Sequence, residues 1–457
     1  MLVFSLYAAA WLAAAPPVTV LARLGDDEVL TVRYCNLPEG SNLRGGAHAI
    51  APISVAHSGI DLTSSPLGDC AYLRHDLGAI TNRRVRDIGY RVGDDLFTWA
   101  WTWWRQPDTG PVDVRFKLPP GWQMSVPWPA CLHDTSGLCF RLGTTPDDFP
   151  AIVSFGKFQL QKQLVGKSTV EIAVLGDLTA SQRAVFGMFT SSSVALIRDG
   201  MGSFPGPRLQ LQIIPIPSRQ SGVHWGQVYR GGYGGVQLFV NPSSSAAELA
   251  EDWVLAHELS HLRHPYLGTQ RGRWLAEGLA SYYQNVLRAR SGQLGERAAW
   301  QKLLAGFERG RRDAQGQTLD QVASDMDESR HYMRVYWSGA AFWLKVDLSL
   351  RRNGSDLDSA LQHFAERNLP AAREWSPAEF LSAIDAQLKT AFLVKLADQA
   401  GRALEFPDVS AELAELGLIW NGRHLTLRTD PAQQALRNAI FEPLRKKQTR
   451  GTSADPG

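Results

Sequence analysis

Net charge is nearly absent from this chain. Lys and Arg number 47 against 45 Asp and Glu, a formal charge of +2. So close a balance spreads no basic face for nucleic acid. Cysteine is scarce too. Cys35, Cys70, Cys131 and Cys139 are the full set, and all fall in the N-terminal third. Four cysteines allow three pairings. The short loop CLHDTSGLC favours Cys131–Cys139, which leaves Cys35–Cys70. The rival, a metal site of all four, lacks the pairs two to four residues apart that such sites use. Internal repeats are missing. So are a phosphate loop, since GGYGG (231–235) precedes a strand and no Lys-Ser/Thr follows, and a Gly-x-Ser-x-Gly nucleophile elbow. Apolar runs long enough to span a bilayer are absent beyond residue 22.

What is present is globular. The 457 residues are 44% hydrophobic and include 15 Trp, enough apolar surface for a sizeable core and about three domains. Residues 1–22 resemble a secretory signal, with the apolar run LVFSLYAAAWLAAA, a Pro-Pro break and Ala22 before Arg23. No Lys or Arg precedes Arg23. An uncleaved anchor or a buried first helix are the alternatives. Export to the periplasm or outside the cell agrees with disulfide-bonded cysteines. Membrane contact is expected only if the segment stays uncleaved.

Residues 23–165 read as a β-sandwich-like domain. Val112–Leu118 alternates, and Leu96–Trp103 puts Phe97, Trp99, Trp101 and Trp103 on one face. That ladder reads as sandwich core, or else as a stacking platform for sugar or peptide. From 166 to 310, strands at 169–175, 193–197, 209–214 and 236–240 mix with a Thr-capped helix from Thr179. After Pro242 the pattern is helical, and Ser245-Ala-Ala-Glu248 is a capping box. Residues 311–445 form a helical C-terminal region that closes the cleft, and 446–457 a polar, disordered tail. The fold class is α+β.

The chemistry lies at His257-Glu-Leu-Ser-His261, inside the helix expected from Ser245. Residues four apart share a helical face, so both imidazoles can hold one metal ion. Glu258 beside them can take a proton from water. Pro265, Gly268 and Gly272 end this helix, and a second opens WLAEGLASYY (274–283). That helix offers Glu277 as a third ligand. Ser281, one turn on, is placed to receive the far nitrogen of a ligand histidine. Two His and a carboxylate suit Zn²⁺, one per chain, with a position left open.

HELSH followed by WLAEGLASYY resembles the gluzincin metallopeptidases, most of all the glycyl aminopeptidase family, which is related to aminopeptidase N. The likeness continues at Tyr332–Ala341 and Leu350–Asp358, and more weakly at FKLPPGW (116–122), over about residues 90–370. It implies a thermolysin-like catalytic domain. It also implies a Tyr-x-x-Gly element whose Tyr, here Tyr336, stabilises the oxyanion. Two departures stand out. Only 262–276 separate His261 from Glu277, fewer than in aminopeptidase N relatives. Their Gly-x-Met-Glu-Asn strand, whose Glu holds the substrate amino terminus, is matched by GGYGGVQLFVN, which has no acid.

The expected function is zinc-dependent hydrolysis of a peptide or protein substrate, exo- or endo-acting, with His257, His261 and Glu277 on the metal, Glu258 as base and Tyr336 at the oxyanion. Gly234, Gly235 and Val236 are expected on an edge strand that pairs with substrate. His331 is a candidate oxyanion helper, and His224 and Tyr233 are candidates for the cleft wall. His264 is a weak fourth-ligand candidate, because a catalytic zinc needs an open position. A catalytically silent peptide-binding protein on the same scaffold is the alternative. Substrate identity and oligomeric state are not encoded legibly.

Overall fold

The structure, a computed structural model, describes residues 18–444 except 39–40, 42, 45–69, 86–87, 144–150, 203, 205, 269–270, 314–315 and 372. Most of the candidate leader and the whole of the tail at 446–457 lie outside the described residues. Residues 18–22, the end of that candidate segment, are described. Thr19–Leu24 forms strand β1, paired with β2 (Val29–Cys35) on one side. Its alternating burial puts Val20, Ala22 and Leu24 in the core. A cut after Ala22 would remove Thr19–Ala22 from that sheet.

The N-terminal domain continues with β3 (Cys70–Asp76), β4 (Gly89–Val92), β5 (Asp95–Trp99), β6 (Val112–Lys117), β7 (Gln123–Ser125), β8 (Cys139–Leu142) and β9 (Ile152–Gly156). They make two sheets, ordered β8-β6-β1-β2-β3 and β4-β5-β9-β7. The strand β6 is buried at every second residue, as its alternation requires. Cys35 stands opposite Cys70 in the β2–β3 ladder, and both expected disulfides, Cys35–Cys70 and Cys131–Cys139, are formed.

The aromatic ladder is not one face. β5 ends at Trp99 and a short 3₁₀ turn, Ala100–Thr102, follows. Phe97 packs toward Tyr229 and Phe239, whereas Trp103 is enclosed by Phe116, Trp128 and Phe155 in the sandwich core.

The central sheet contains β10 (Gln159–Val165), β11 (Ser168–Val174), β12 (Arg208–Pro215), β13 (Val223–Tyr229) and β14 (Gly235–Val240) in the order β10-β11-β12-β14-β13. Residues 159–165 thus belong to this sheet, and the boundary expected at 165 moves to about 158. One face of the sheet packs on helices, the other on the N-terminal domain. A buried polar seam joins that second face to β7: Ser125 donates to Glu171 at 2.9 Å, Gln210 donates to Ser125 at 2.8 Å, and Tyr229 donates to Gln210 at 2.6 Å.

Helix α1 (Ala180–Ala195) opens on a Thr179 capping box. The strand expected at 193–197 is instead its last turn, running into a wider π-type turn over Leu196–Met201. Ser193 returns its hydroxyl to the Phe189 carbonyl at 2.7 Å, and packing overrides the strand preference of Val194 and Ile197. Then come α2 (Val254–His261), α3 (Gly272–Arg290), α4 (Glu296–Arg312), α5 (Tyr332–Arg352), α6 (Leu357–Asn368) and α7 (Pro377–Leu388). One hydrophobic core runs from Val165 to Ile440. The boundary expected at 310 falls inside α4, whose Trp300 and Phe307 share that core with α3 and α5. The C-terminal helices share one core with α3 and the central sheet rather than forming a separate body. The architecture is α+β: a two-sheet N-terminal domain, a mixed sheet, and helices beyond it.

Candidate active site

The helix carrying the histidines does not run on from Ser245. A short segment, Ala246–Ala250, keeps the expected capping box, and the chain restarts at Val254. Asp252 makes the break. One carboxylate oxygen accepts from Val254 N at 2.8 Å, capping α2, and the other from Val223 N of β13 at 3.3 Å. This one side chain ties the histidine helix to the sheet edge. Burial pushes its carboxyl up to about 6, partly offset by those backbone donors.

His257 and His261 lie one turn apart, ring centroids 5.0 Å from each other. Glu277 on α3 brings Oε2 to 3.1 Å from His257 Nε2 and 3.6 Å from His261 Nε2. The ligand atoms of the three all fall within 4.8 Å of one another. The short link to α3 is possible because it is tight. Gly268 takes φ +74°, and a Cβ on Gly272 would stand 1.8 Å from Leu267 O.

The far nitrogens of both histidines are engaged, but not by Ser281, which is corrected on this point. His257 Nδ1 meets Gln284 Oε1 at 3.0 Å. His261 Nδ1 meets His264 Nε2 at 3.2 Å, and His264 Nδ1 meets Pro265 O at 2.7 Å. A carbonyl only accepts, so His264 carries its proton on Nδ1 and accepts on Nε2. His261 and His257 then hold protons on Nδ1, and both turn Nε2 toward Glu277. Burial, helped by Arg230 and His261, holds the His264 imidazole well below the usual range, which keeps it neutral. Both His264 nitrogens are thus engaged, one by His261 and the other by Pro265 O. Gln284 had a legible signal, lying seven residues and two turns past Glu277 on one helix face.

Glu258 lines a cavity of about 540 Å³ together with His257, His261, Glu277 and Tyr336. Burial pushes its carboxyl up, against the pull of the two imidazoles. Glu277 is held well below the carboxylate range. Burial pushes it up, but His261 and His257 outweigh that. Tyr336, on the first turns of α5, stacks on the His257 ring at 5.8 Å and 19°. Burial first, then Glu277 and Glu258, push its phenol up, so it stays a donor. Sequence reasoning missed Arg230, just past β13. It donates to His261 O at 2.8 Å and also lines the cavity, and burial brings it down only to about 10, so it remains a cation.

Other expected residues lie elsewhere. β14 is an interior strand between β12 and β13, so Gly234, Gly235 and Val236 face neighbouring strands rather than a substrate. A Cβ on Gly235 would stand 2.6 Å from Gln210 O. The sheet edge is β13, where His224 does line the cavity. Tyr233 borders a separate, smaller cavity with Phe204 and Leu369. His331 stands at the start of α5 with Nδ1 2.6 Å from Asp313 Oδ1 and is not among the residues lining the cavity.

No family model matches the chain, and no curated protein matches it. Solved structures do resemble it. An aminopeptidase N family protein from Idiomarina loihiensis superposes with TM-score 0.63 at 14% identity, covering 88% of this chain and 79% of that one. An M1 zinc metallopeptidase from Deinococcus radiodurans gives TM-score 0.47 at 14% identity, over 86% and 93% of the two chains. A yeast LTA4 hydrolase in complex with bestatin gives 0.44 at 13%, over 83% and 65%. The chain therefore has the fold of the aminopeptidase N family protein from Idiomarina loihiensis.

Proposed function

We propose that the protein is an exported zinc metallopeptidase that hydrolyses peptide bonds. The observation that carries this is the convergence of His257 Nε2, His261 Nε2 and Glu277 Oε2 beside Glu258 in one cavity. Two imidazoles with fixed tautomers and one ionised carboxylate form a donor set that fits Zn²⁺. A zinc ion held there supplies Lewis-acid polarisation of the scissile carbonyl and a more acidic water.

The chain's own residues do the rest. Glu258 accepts a proton from the attacking water as its oxygen bonds the carbonyl carbon. It then delivers that proton to the amide nitrogen as the C–N bond breaks, giving one carboxylate product and one amine. A carboxyl raised by burial suits both steps. The Tyr336 hydroxyl donates to the oxyanion that develops, and its neutrality at physiological pH supports that role.

Export is supported by two disulfides in the N-terminal domain. Among the described residues no helix is long and apolar enough to cross a membrane. The complete set of base, ligands and Tyr disfavours a silent binding protein. The test is hydrolysis of a peptide library before and after chelation, with zinc added back. Activity that disappears and returns supports the proposal; activity indifferent to chelator overturns it.

A further inference from the structure

The substrate strand and its chemistry can be read from β13. Among the described residues this strand is paired with one strand only, β14, and its other edge, where Val223 N is taken by Asp252, carries no partner strand. It also lies hard against the histidine helix. A Cβ on Gly226 would stand 2.5 Å from Val254 Cγ1 and 2.8 Å from Glu258 Cγ. An extended peptide added to that edge runs directly past Glu258.

Charge decides which part of a polypeptide fits there. Among the described residues, three carboxylates line the cavity: Glu258, Glu277 and Asp327. Glu277 faces both imidazoles, and Glu258 is the base. Asp327 is 68% exposed and bonded to Arg273 at 2.6 Å. None is left over for a substrate ammonium. The Arg230 guanidinium lines the same cavity. The β13 side chains His224 and Gln227 line the wall and carry no negative charge, and burial keeps His224 neutral by pushing its imidazole down. An amino terminus brought into this cavity loses hydration without a partner. An internal segment brings only amides, which β13 can pair. Trp225 and Trp253, 42% and 45% exposed at the cavity rim, offer apolar surface to its side chains.

We infer that the cleft takes internal segments of a polypeptide, cutting chains whose amino terminus is blocked or remote. This rests on the peptidase reading above. The experiment uses the zinc-loaded full chain and two internally quenched peptides of one sequence, one with a free amino terminus and one acetylated, both amidated at the other end. Products are mapped by mass spectrometry. Equal kcat/KM within about threefold, with cuts inside the sequence, is the expected result. Cleavage of the free peptide only, one residue at a time, overturns the inference and leaves the peptidase reading standing. Hydrolysis of neither peptide, with zinc bound, overturns both.

A second variant tests β13 itself. His224→Glu puts a carboxylate on the proposed substrate strand, and is expected to raise the free-to-acetylated ratio by about tenfold. An unchanged ratio in a variant with unchanged melting temperature overturns the placement of substrate on β13.

Discussion

Gly278 of α3 and Gly339 of α5 touch. A Cβ on Gly278 would stand 2.3 Å from Gly339 Cα, and one on Gly339 would stand 2.0 Å from Trp274 O. The two helices that carry Glu277 and Tyr336 are thus held together at backbone contact, one residue and three residues from those side chains. Gly339→Ala has to push the helices apart. It is expected to cost about 1–3 kcal/mol of stability, seen as a lower melting temperature. Activity should fall further than the folded fraction does, because Tyr336 and Glu277 separate.

The nitrogens behind the ligands matter next. Gln284→Leu removes the acceptor that fixes His257 with its proton on Nδ1, and His264→Phe removes the corresponding acceptor for His261. Each is expected to weaken zinc binding by about 10- to 100-fold in a competition titration with a chelating dye. Ser281→Ala should leave zinc affinity unchanged.

Tyr336→Phe keeps the ring that stacks on His257 and removes the hydroxyl. The expected outcome is full zinc content with kcat lowered about 100-fold or more and KM little changed. Equal losses in zinc and kcat would instead mark Tyr336 as packing.

A pH effect on stability is expected away from the site. His75 of β3 is buried, and burial with the nearby Arg105 charge pushes its imidazole down to about 4. In the unfolded chain the same group titrates near 6.5. Between those values the unfolded state binds the extra proton, so stability falls as pH drops from about 6.5 to 4, by about 3 kcal/mol in all. His75→Leu should flatten that part of the profile in urea unfolding measured across the range.

The metal cluster was legible because its signal is local. Two histidines four apart share a helix face wherever the helix goes, and Glu277 follows on the next helix in the chain. The edge strand was not legible. Sheet order is set by long-range pairing, and β14, later in the chain, inserts between β12 and β13. That moves GGYGG into the interior and turns VHWGQVY (223–229) to the cleft. The helix break at Asp252 was hidden for a similar reason, since its carboxylate answers to Val223 on another element. The alternation at 96–103 misled because a strand and a 3₁₀ turn both placed aromatics inward, into different cores. The disulfide pairs were legible from the short loop between Cys131 and Cys139, which left Cys35 and Cys70 for each other.

The central claim is that Glu258 moves the proton while His257, His261 and Glu277 hold the metal. The most direct test is zinc content and peptide hydrolysis on one preparation, wild type beside Glu258→Gln. The account predicts about one Zn²⁺ per chain in both, with hydrolysis in wild type and a loss of at least about 1,000-fold in the variant. Wild type without zinc, or a variant that still cleaves at the wild-type rate, would contradict it.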